Sequence, residues 1–432
     1  MRIRQSPIVG LLFFALFLST VFAFRGEASQ LDELLAEADQ NPSLKVAFEQ
    51  IAVAESKIDQ ATSLADPVLS IALSNYPIDE LKTSTTPMTG NEVRLAQKFP
   101  FPGKLDTKGK IAEQKSNWFA SAYQDARLQV RRQVKDAWYR LLFQRRAIKL
   151  TEHNLQLLDD FIRLTETRYQ VGKGLQQNVL KANLQRSKQL DKLLVLQQQE
   201  EATRAELNSL VGRPTDQTLE IEAQLESETS SYLLADLQQQ AEQKRPMFGA
   251  FAALIKQFEA QRELAKLDYK SDFTLWAGYR WRDDALADGG TDFVSTGISF
   301  NLPVRRDRRA AAVAEADSSL RLAYQKRNDF RNKVNLAIHR AVTRFEQTSR
   351  LIELYRSGII PQAEQTFKAT LSAYQVDKVD FLDLLDSVMS LYRYQIDFAR
   401  TLSDQQRSQA TLEAAAGLEV DKLNTMQNAA EG

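Results

Sequence analysis

The chain has 432 residues, with 56 basic and 56 acidic side chains, two histidines and no cysteine. Balanced charge leaves no basic footprint for nucleic acid. The lack of thiols excludes disulfide staples and thiolate metal sites, so stability has to come from packing or from association of copies.

At the start, Arg2 and Arg4 precede an apolar run from Ile8 to Phe24, and Val21-Phe22-Ala23 offers a small-residue cleavage site. This is the build of a secretory signal peptide over residues 1–23. The run falls short of the ~20 apolar residues that a membrane-spanning helix needs. Its removal leaves 54 basic against 56 acidic residues and no cysteine to carry a lipid. No later segment reads as a spanning helix, so any membrane crossing in the mature chain has to use strands.

From Leu31 to about Ser63, Leu34, Leu35, Ala38, Leu44, Ala47, Ile51, Ala54 and Ile58 recur at helical spacing, with a break at Asn41-Pro42. Two segments of period-two alternation follow, at about 67–76 and 91–99. Leu69, Ile71 and Leu73 point one way in the first; Val93, Leu95, Gln97 and Phe99 oppose Arg94, Ala96 and Lys98 in the second. Pro100 and Pro102 then mark the change to a helix from about Leu105 to Arg168. On it Val134, Trp138, Leu141, Ile148, Leu155, Leu158 and Ile162 keep an a/d heptad track, a coiled-coil sign. Some 65 helical residues would span on the order of 100 Å. The chain turns at Gly172-Lys173-Gly174, and a second helix runs from Leu175 to Val211, capped by Gly212 with Pro214 beyond.

After a polar connector, 213–231, the same order returns. A helix from Leu233 to Tyr269 is broken at Pro246, and strands are expected at about 272–282 and 292–302. A long helix starts near Arg308 with Ile338, Val342, Phe345, Ile352 and Ile359 on its track; a turn falls near Asp377, and a helix runs to Ala416. Tyr169 to Leu175 matches Tyr374 to Asp380, and Leu207 to Gly212 matches Leu412 to Gly417, both at an offset of 205. Asn41-Pro42 corresponds to Arg245-Pro246 at 204, Ala65-Asp66-Pro67 to Ser271-Asp272-Phe273 at 206, and Lys98-Phe99-Pro100 to Asn301-Leu302-Pro303 at 203. Residues 24–212 and 232–417 thus read as two copies of one unit, with a tail, 418–432, expected to be disordered. A solenoid is excluded, because its period would be roughly 20–50 residues.

The four alternating segments fit membrane β-strands and also fit four strands of a soluble sheet. Four cannot close a membrane barrel, for which about eight is the smallest bacterial count. If they span, several copies must share one barrel, since open edges are forbidden in lipid.

Gln97-Lys98-Phe99-Pro100-Phe101-Pro102-Gly103-Lys104, Tyr169 to Ala182, Leu207 to Gly212, Arg245-Pro246 and the duplicated helix–strand–strand–helix–turn–helix order carry a resemblance. The chain resembles the TolC family of outer membrane factors, in particular the branch associated with heavy-metal (cobalt–zinc–cadmium type) efflux. That resemblance implies a mainly α fold with a small membrane β part: a homotrimer forming a 12-stranded β-barrel continuous with a long periplasmic α-helical barrel. It places the protein in the outer membrane of a Gram-negative bacterium, surrounded by outer-membrane lipid and extending into the periplasm. The implied role is passive export of small solutes, metal cations or drugs. A partner inner-membrane pump of the RND type would drive it through a periplasmic adaptor (membrane fusion) protein. A duct for type I protein secretion is the rival within the family, and a soluble periplasmic coiled-coil scaffold is the rival outside it.

Asp383 and Asp386, three apart, share one helix face, and the resemblance makes them the pore constriction; a solvated acidic face, with Asp380 nearby, is the plainer reading. Val171, Gly172, Val376 and Asp377 are the turn tips. A glycine suits a positive φ there, and the resemblance adds docking of the adaptor's helical hairpin. Asp377 stands where the family usually has glycine, Val379 where a gating base can sit, and Asn178 where an acidic partner of Tyr374 can occur. Tyr374 and Asn178 are therefore the gating contact candidates. Phe99, Trp276, Tyr279, Trp281 and Phe300 are candidates for an aromatic girdle or for ordinary core, and Arg305, Arg306, Arg308 and Arg309 for a solvated rim. His153 and His339 lie far apart with no ligand cluster, so no metal site is expected. No nucleotide motif or nucleophile elbow is present, so neither a cofactor nor an enzymatic activity is expected.

Overall fold

In the computed structural model, residues 30–221, 223–227, 232–286 and 288–419 are described. The expected signal peptide, connector residues 222 and 228–231, and the expected tail beyond residue 419 lie outside them. The elements are α1 (Gln30–Ala38), α2 (Pro42–Thr62), β1 (Val68–Ser74), β2 (Gly90–Phe99), α3 (Lys104–Gln170) and α4 (Gln176–Val211). The order then repeats as α5 (Leu234–Lys244), α6 (Pro246–Leu267), β3 (Phe273–Trp281), β4 (Phe293–Phe300), α7 (Arg306–Leu354), a π-helical turn (Tyr355–Ile359), α8 (Ile360–Gln375) and α9 (Phe381–Ala416). No described helix is long and apolar enough to cross a membrane.

Pro42 and Pro246 each open a helix, where a missing N–H costs nothing. One difference from the sequence expectation is the interruption of the second long helix. Pro361 has no N–H to give, and its ring would collide with the carbonyl four residues back. A π turn absorbs the conflict with one extra residue. Its counterpart in the first copy is Gln156, and α3 runs through that point unbroken.

The described chain forms two compact units. One, residues 30–42, 127–234 and 338–414, is helical; the other, 43–126, 235–337 and 415–419, holds the sheet. Each draws on both sequence copies.

In the helical unit, Leu34, Leu35 and Ala38 of α1 pack on Val134, Ala137, Trp138 and Leu141 of α3 and on Leu207 and Val211 of α4. Further along, Ala147 and Leu196 meet Tyr392 and Ile396, and then Leu158, Phe161 and Ala182 meet Tyr374, Phe381, Leu384 and Val388. The heptad track is therefore the buried seam, with Ile148 and Ile162 only half-buried. Each fully buried large side chain contributes about 2 kcal/mol. Leu180, Leu184, Leu194 and Val195 of α4 stay exposed in the single chain. Gly212 (φ 79°) ends α4 in a Schellman-type cap, Arg213 N–H reaching the Asn208 carbonyl at 2.8 Å. Buried Asn208 in turn donates to the Gln217 carbonyl at 2.8 Å and so starts the connector.

In the sheet unit the strands pair in the order β1-β2-β3-β4, all antiparallel, leaving β1 and β4 as open edges. Helix packing here uses Trp118, Phe248, Phe251 and Phe330. The Arg245 guanidinium donates to the Asp125 carboxylate at 2.9 Å.

Candidate functional site

The strand register sorts the sheet's side chains onto two faces. Leu69, Ile71 and Leu73 align with Leu95, Val93 and Asn91; these continue through Ala277, Tyr279 and Trp281, and Leu275 and Tyr279 lead on to Ile298 and Val294. This face is apolar and open: Ile71 is 71% exposed and Val294 75%. Its polar members near the ends are bonded. Asn91 accepts from the Tyr76 hydroxyl at 2.7 Å, and Gln97 donates to the Ala65 carbonyl at 2.8 Å. The opposite face carries Ser70, Glu92, Arg94, Lys98, Thr274, Arg280, Ser295 and Ser299. An exposed apolar face backed by a charged one is the pattern of a strand set with lipid on one side and water on the other.

Aromatic rings border the apolar face at both ends. Phe99 stacks on Phe273 (5.3 Å), and Phe273 contacts Phe300 (6.4 Å); at the other end Tyr279 lies beside Trp281 (6.5 Å). Between Phe273 and Trp281 the strand rises about 26 Å, which at a barrel tilt of about 40° spans about 20 Å of an outer-membrane apolar band some ~25 Å tall. Trp276 does not belong to this set. It sits at an even position on a strand whose apolar face is odd-numbered, so it projects to the polar face.

Where β2 gives way to α3, the Gln97–Lys104 stretch has a structural task. The buried Lys104 ammonium donates to Asp272 at 2.9 Å and pairs with Asp268 at 3.1 Å; the Phe101 N–H donates to the same Asp272 oxygen at 3.0 Å, and Lys98 pairs with the other at 3.4 Å. Burial pushes the Asp272 carboxyl up. Lys104, the Phe101 amide and Lys98 together outweigh it and hold the group below its ordinary value. Among the four arginines after β4, Arg309 donates to the Asp268 carbonyl at 2.6 Å.

At the other end of the sheet, Arg282 ties two loops together. Its guanidinium donates to the carbonyls of Pro87 (2.6 Å) and Thr291 (2.8 Å) and to Asp288 (2.6 Å). The hydrogen bond from Arg282 holds the Asp288 carboxyl below its ordinary range.

The two helix turns are built alike. Gly172 N–H donates to the Tyr169 carbonyl and Lys173 N–H to that of Arg168; Asp377 N–H donates to the Tyr374 carbonyl and Lys378 N–H to that of Ala373. Both need a left-handed residue, and Gly172 (φ 73°) and Asp377 (φ 59°) supply it. Glycine does so freely, and aspartate is one of the few side chains that tolerate it. Val171 and Val376 are exposed, at 64% and 62%.

Tyr374 is buried, whereas its counterpart Tyr169 is 47% exposed. Of the gating contact candidates Tyr374 and Asn178, Tyr374 packs within this chain against Arg168. That guanidinium lies 4.3 Å from the Tyr374 ring centre, donates to the Tyr374 carbonyl at 3.0 Å and forms an ion pair with Asp377. Burial raises the Tyr374 phenol pKa while Arg168 pulls against it. Asn178 instead makes a first-turn backbone bond to Leu175 at 3.0 Å. The signal for Arg168 lay in the duplication. At the same offset, Arg168 faces Ala373 and Gly172 faces Asp377, so these two positions, which pair in the structure, are among those where the copies differ in charge.

Asp383 and Asp386 are both exposed on α9, beside buried Leu384, Ser387 and Val388. The first-copy counterparts are Asn178 and Lys181, so the acidic pair belongs to one copy only. Among the described residues no three His, Asp or Glu side chains gather as a metal ion would require.

Residues 34–213 match the family model described as "Outer membrane efflux protein". Over 383 residues, 88% of each chain, the sequence is 20% identical to the cobalt-zinc-cadmium resistance protein CzcC of Cupriavidus metallidurans. The crystal structure of the outer membrane protein VceC of Vibrio cholerae superposes with a TM-score of 0.76 at 23% identity, over 90% of this chain and 96% of that one. The open-state MtrE outer membrane channel of Neisseria gonorrhoeae gives 0.74 at 16%, over 90% and 89%. Residues 34–213 are thus similar to the outer membrane efflux protein family, and over 90% of its length the chain has the fold of the solved outer-membrane channels.

Proposed function

We propose that this chain is the outer-membrane exit duct of a tripartite efflux system, a passive conduit for small solutes with no catalysis of its own. Three copies pool four strands each into a 12-stranded barrel and their long helices into a periplasmic tunnel. A periplasmic adaptor links it to an inner-membrane pump of the RND type. The carrying observation is the sheet: one apolar exposed face, one charged face and two unpaired edges in the same four strands. Such a sheet is stable in lipid only when further copies close it. The exposed row Leu180, Leu184 and Leu194 gives the helices a matching reason to associate.

Within that duct, Asp383 and Asp386 form two rings of three carboxylates and favour cations at the inner end. Val171, Gly172, Val376 and Asp377 present the turns to the adaptor. The contact from Arg168 to Tyr374 and Asp377 holds one turn to the other, and its release widens the opening. The name of the cobalt-zinc-cadmium resistance relative supports metal cations as cargo.

Purification from outer membranes, native mass measurement and planar-bilayer recording test this together. A trimer that conducts is expected, and a stable water-soluble monomer without conductance overturns the reading. Co-purification of an ABC exporter in place of an RND pump would move the duct to protein secretion.

A further inference from the structure

Arg94 sits in the middle of β2 on the sheet's charged face, aligned with Gly278. Its guanidinium carbon lies over the Trp276 indole, 3.6 Å from the ring centre. The indole lies down over Gly297, where a Cβ would come within 2.5 Å of the ring. Only glycine at that position leaves room for the slab. Glu92, on the same face, is folded over Gly278 instead, its Oε1 3.0 Å from where a Cβ would be.

The other cations of this face are engaged at the ends of the strands: Lys98 pairs with Asp272 at 3.4 Å, and Arg280 donates to the Met88 carbonyl. Among the described residues no carboxylate forms an ion pair with Arg94, and its Nε has no hydrogen-bond partner. The cation–π contact fixes the position of the charge without neutralising it.

We propose, resting on the duct reading above, that Arg94 seated on Trp276 is a specificity-determining residue: three copies place a ring of fixed positive charge inside the barrel that favours anions. The ring is opposite in sign to the one formed by Asp383 and Asp386. Arginine rings admit anions as acidic rings admit cations, so the conduit carries two filters of opposite preference. Cargo that leaves as a bare multivalent cation meets repulsion at the barrel, and cargo accompanied by anions or itself anionic does not.

Reversal potentials across a potassium chloride gradient in planar bilayers read this directly. Arg94→Gln should raise the cation-to-anion permeability ratio by about twofold at salt near 0.01 M, where charges act over ~30 Å, and the shift should collapse near 1 M, where they act over ~3 Å. Arg94→Lys should restore the wild-type ratio, which a merely structural role would not require. A second measurement leaves Arg94 untouched: Asp383→Asn with Asp386→Asn should leave a channel that prefers anions. An unchanged ratio in Arg94→Gln, or a cation preference persisting in the double variant, overturns the inference while the duct reading stands. A wild-type protein that fails to conduct at all sinks the duct reading itself.

Discussion

Asp272 gathers two cations and a backbone amide at one carboxylate, in the place where strand becomes helix. Because its pKa is held below the unfolded value of about 3.9, it contributes stability at pH above that value and loses it as pH falls through the lower folded value. Asp272→Asn should cost about 2 kcal/mol, less than a fully buried pair because Lys98 is exposed. Thermal unfolding in detergent should show this at neutral pH, together with a flatter acid profile than wild type. Arg168 is the second residue with a specific consequence. Arg168→Ala should raise single-channel conductance, and a double-mutant cycle with Asp377→Ala should give a coupling of about 0.5 kcal/mol, since the Asp377 side chain is largely in water. Additive conductance changes would remove the pair from gating. Both residues show where sequence reading stopped. Lys104 was visible as part of a motif and Asp272 as a repeat match, but a one-dimensional pattern does not say that residues 168 apart share an oxygen.

Among the elements, the sheet was the most legible, because period-two alternation follows from backbone geometry alone. Its error was one of parity: Trp276 was grouped with Phe99, Tyr279, Trp281 and Phe300 by residue type, and the register put it across the sheet. Parity also gives the sharpest test. Ile71→Arg places a charge on the face assigned to lipid and should cost about 2–4 kcal/mol near the bilayer midplane, whereas Ser70→Arg, one residue away, should be tolerated. Recovery of folded protein from outer membranes compares the two, and equal losses would contradict the assignment of faces. The long helices were readable from their heptad tracks, but the π turn before Pro361 was missed. A proline within a helical pattern signals trouble without saying how the chain relieves it.

For the whole molecule, the duplication set most of what could be read, and its failures of symmetry set the rest. Arg168 against Ala373, Gly172 against Asp377 and Asn178 against Asp383 are places where two copies of one plan have diverged. In the proposed trimer the open edges extend this to the assembly, because a closed ring needs every member. An Ile71→Arg copy produced alongside tagged wild type should lower the yield of heat-resistant wild-type oligomer more than in proportion to its share, as gel mobility would show; a merely proportional loss would argue against shared closure. The strand number has one more consequence. In the proposed shared barrel each chain contributes two hairpins and its first and last strands run in opposite directions, so a seam where β4 of one copy met β1 of the next would be antiparallel, like every pairing within a copy. Such a junction would be head-to-tail, and the proposed cylinder would have no distinctive suture: lipid and solute alike would meet an unbroken wall whose joins are chemically ordinary.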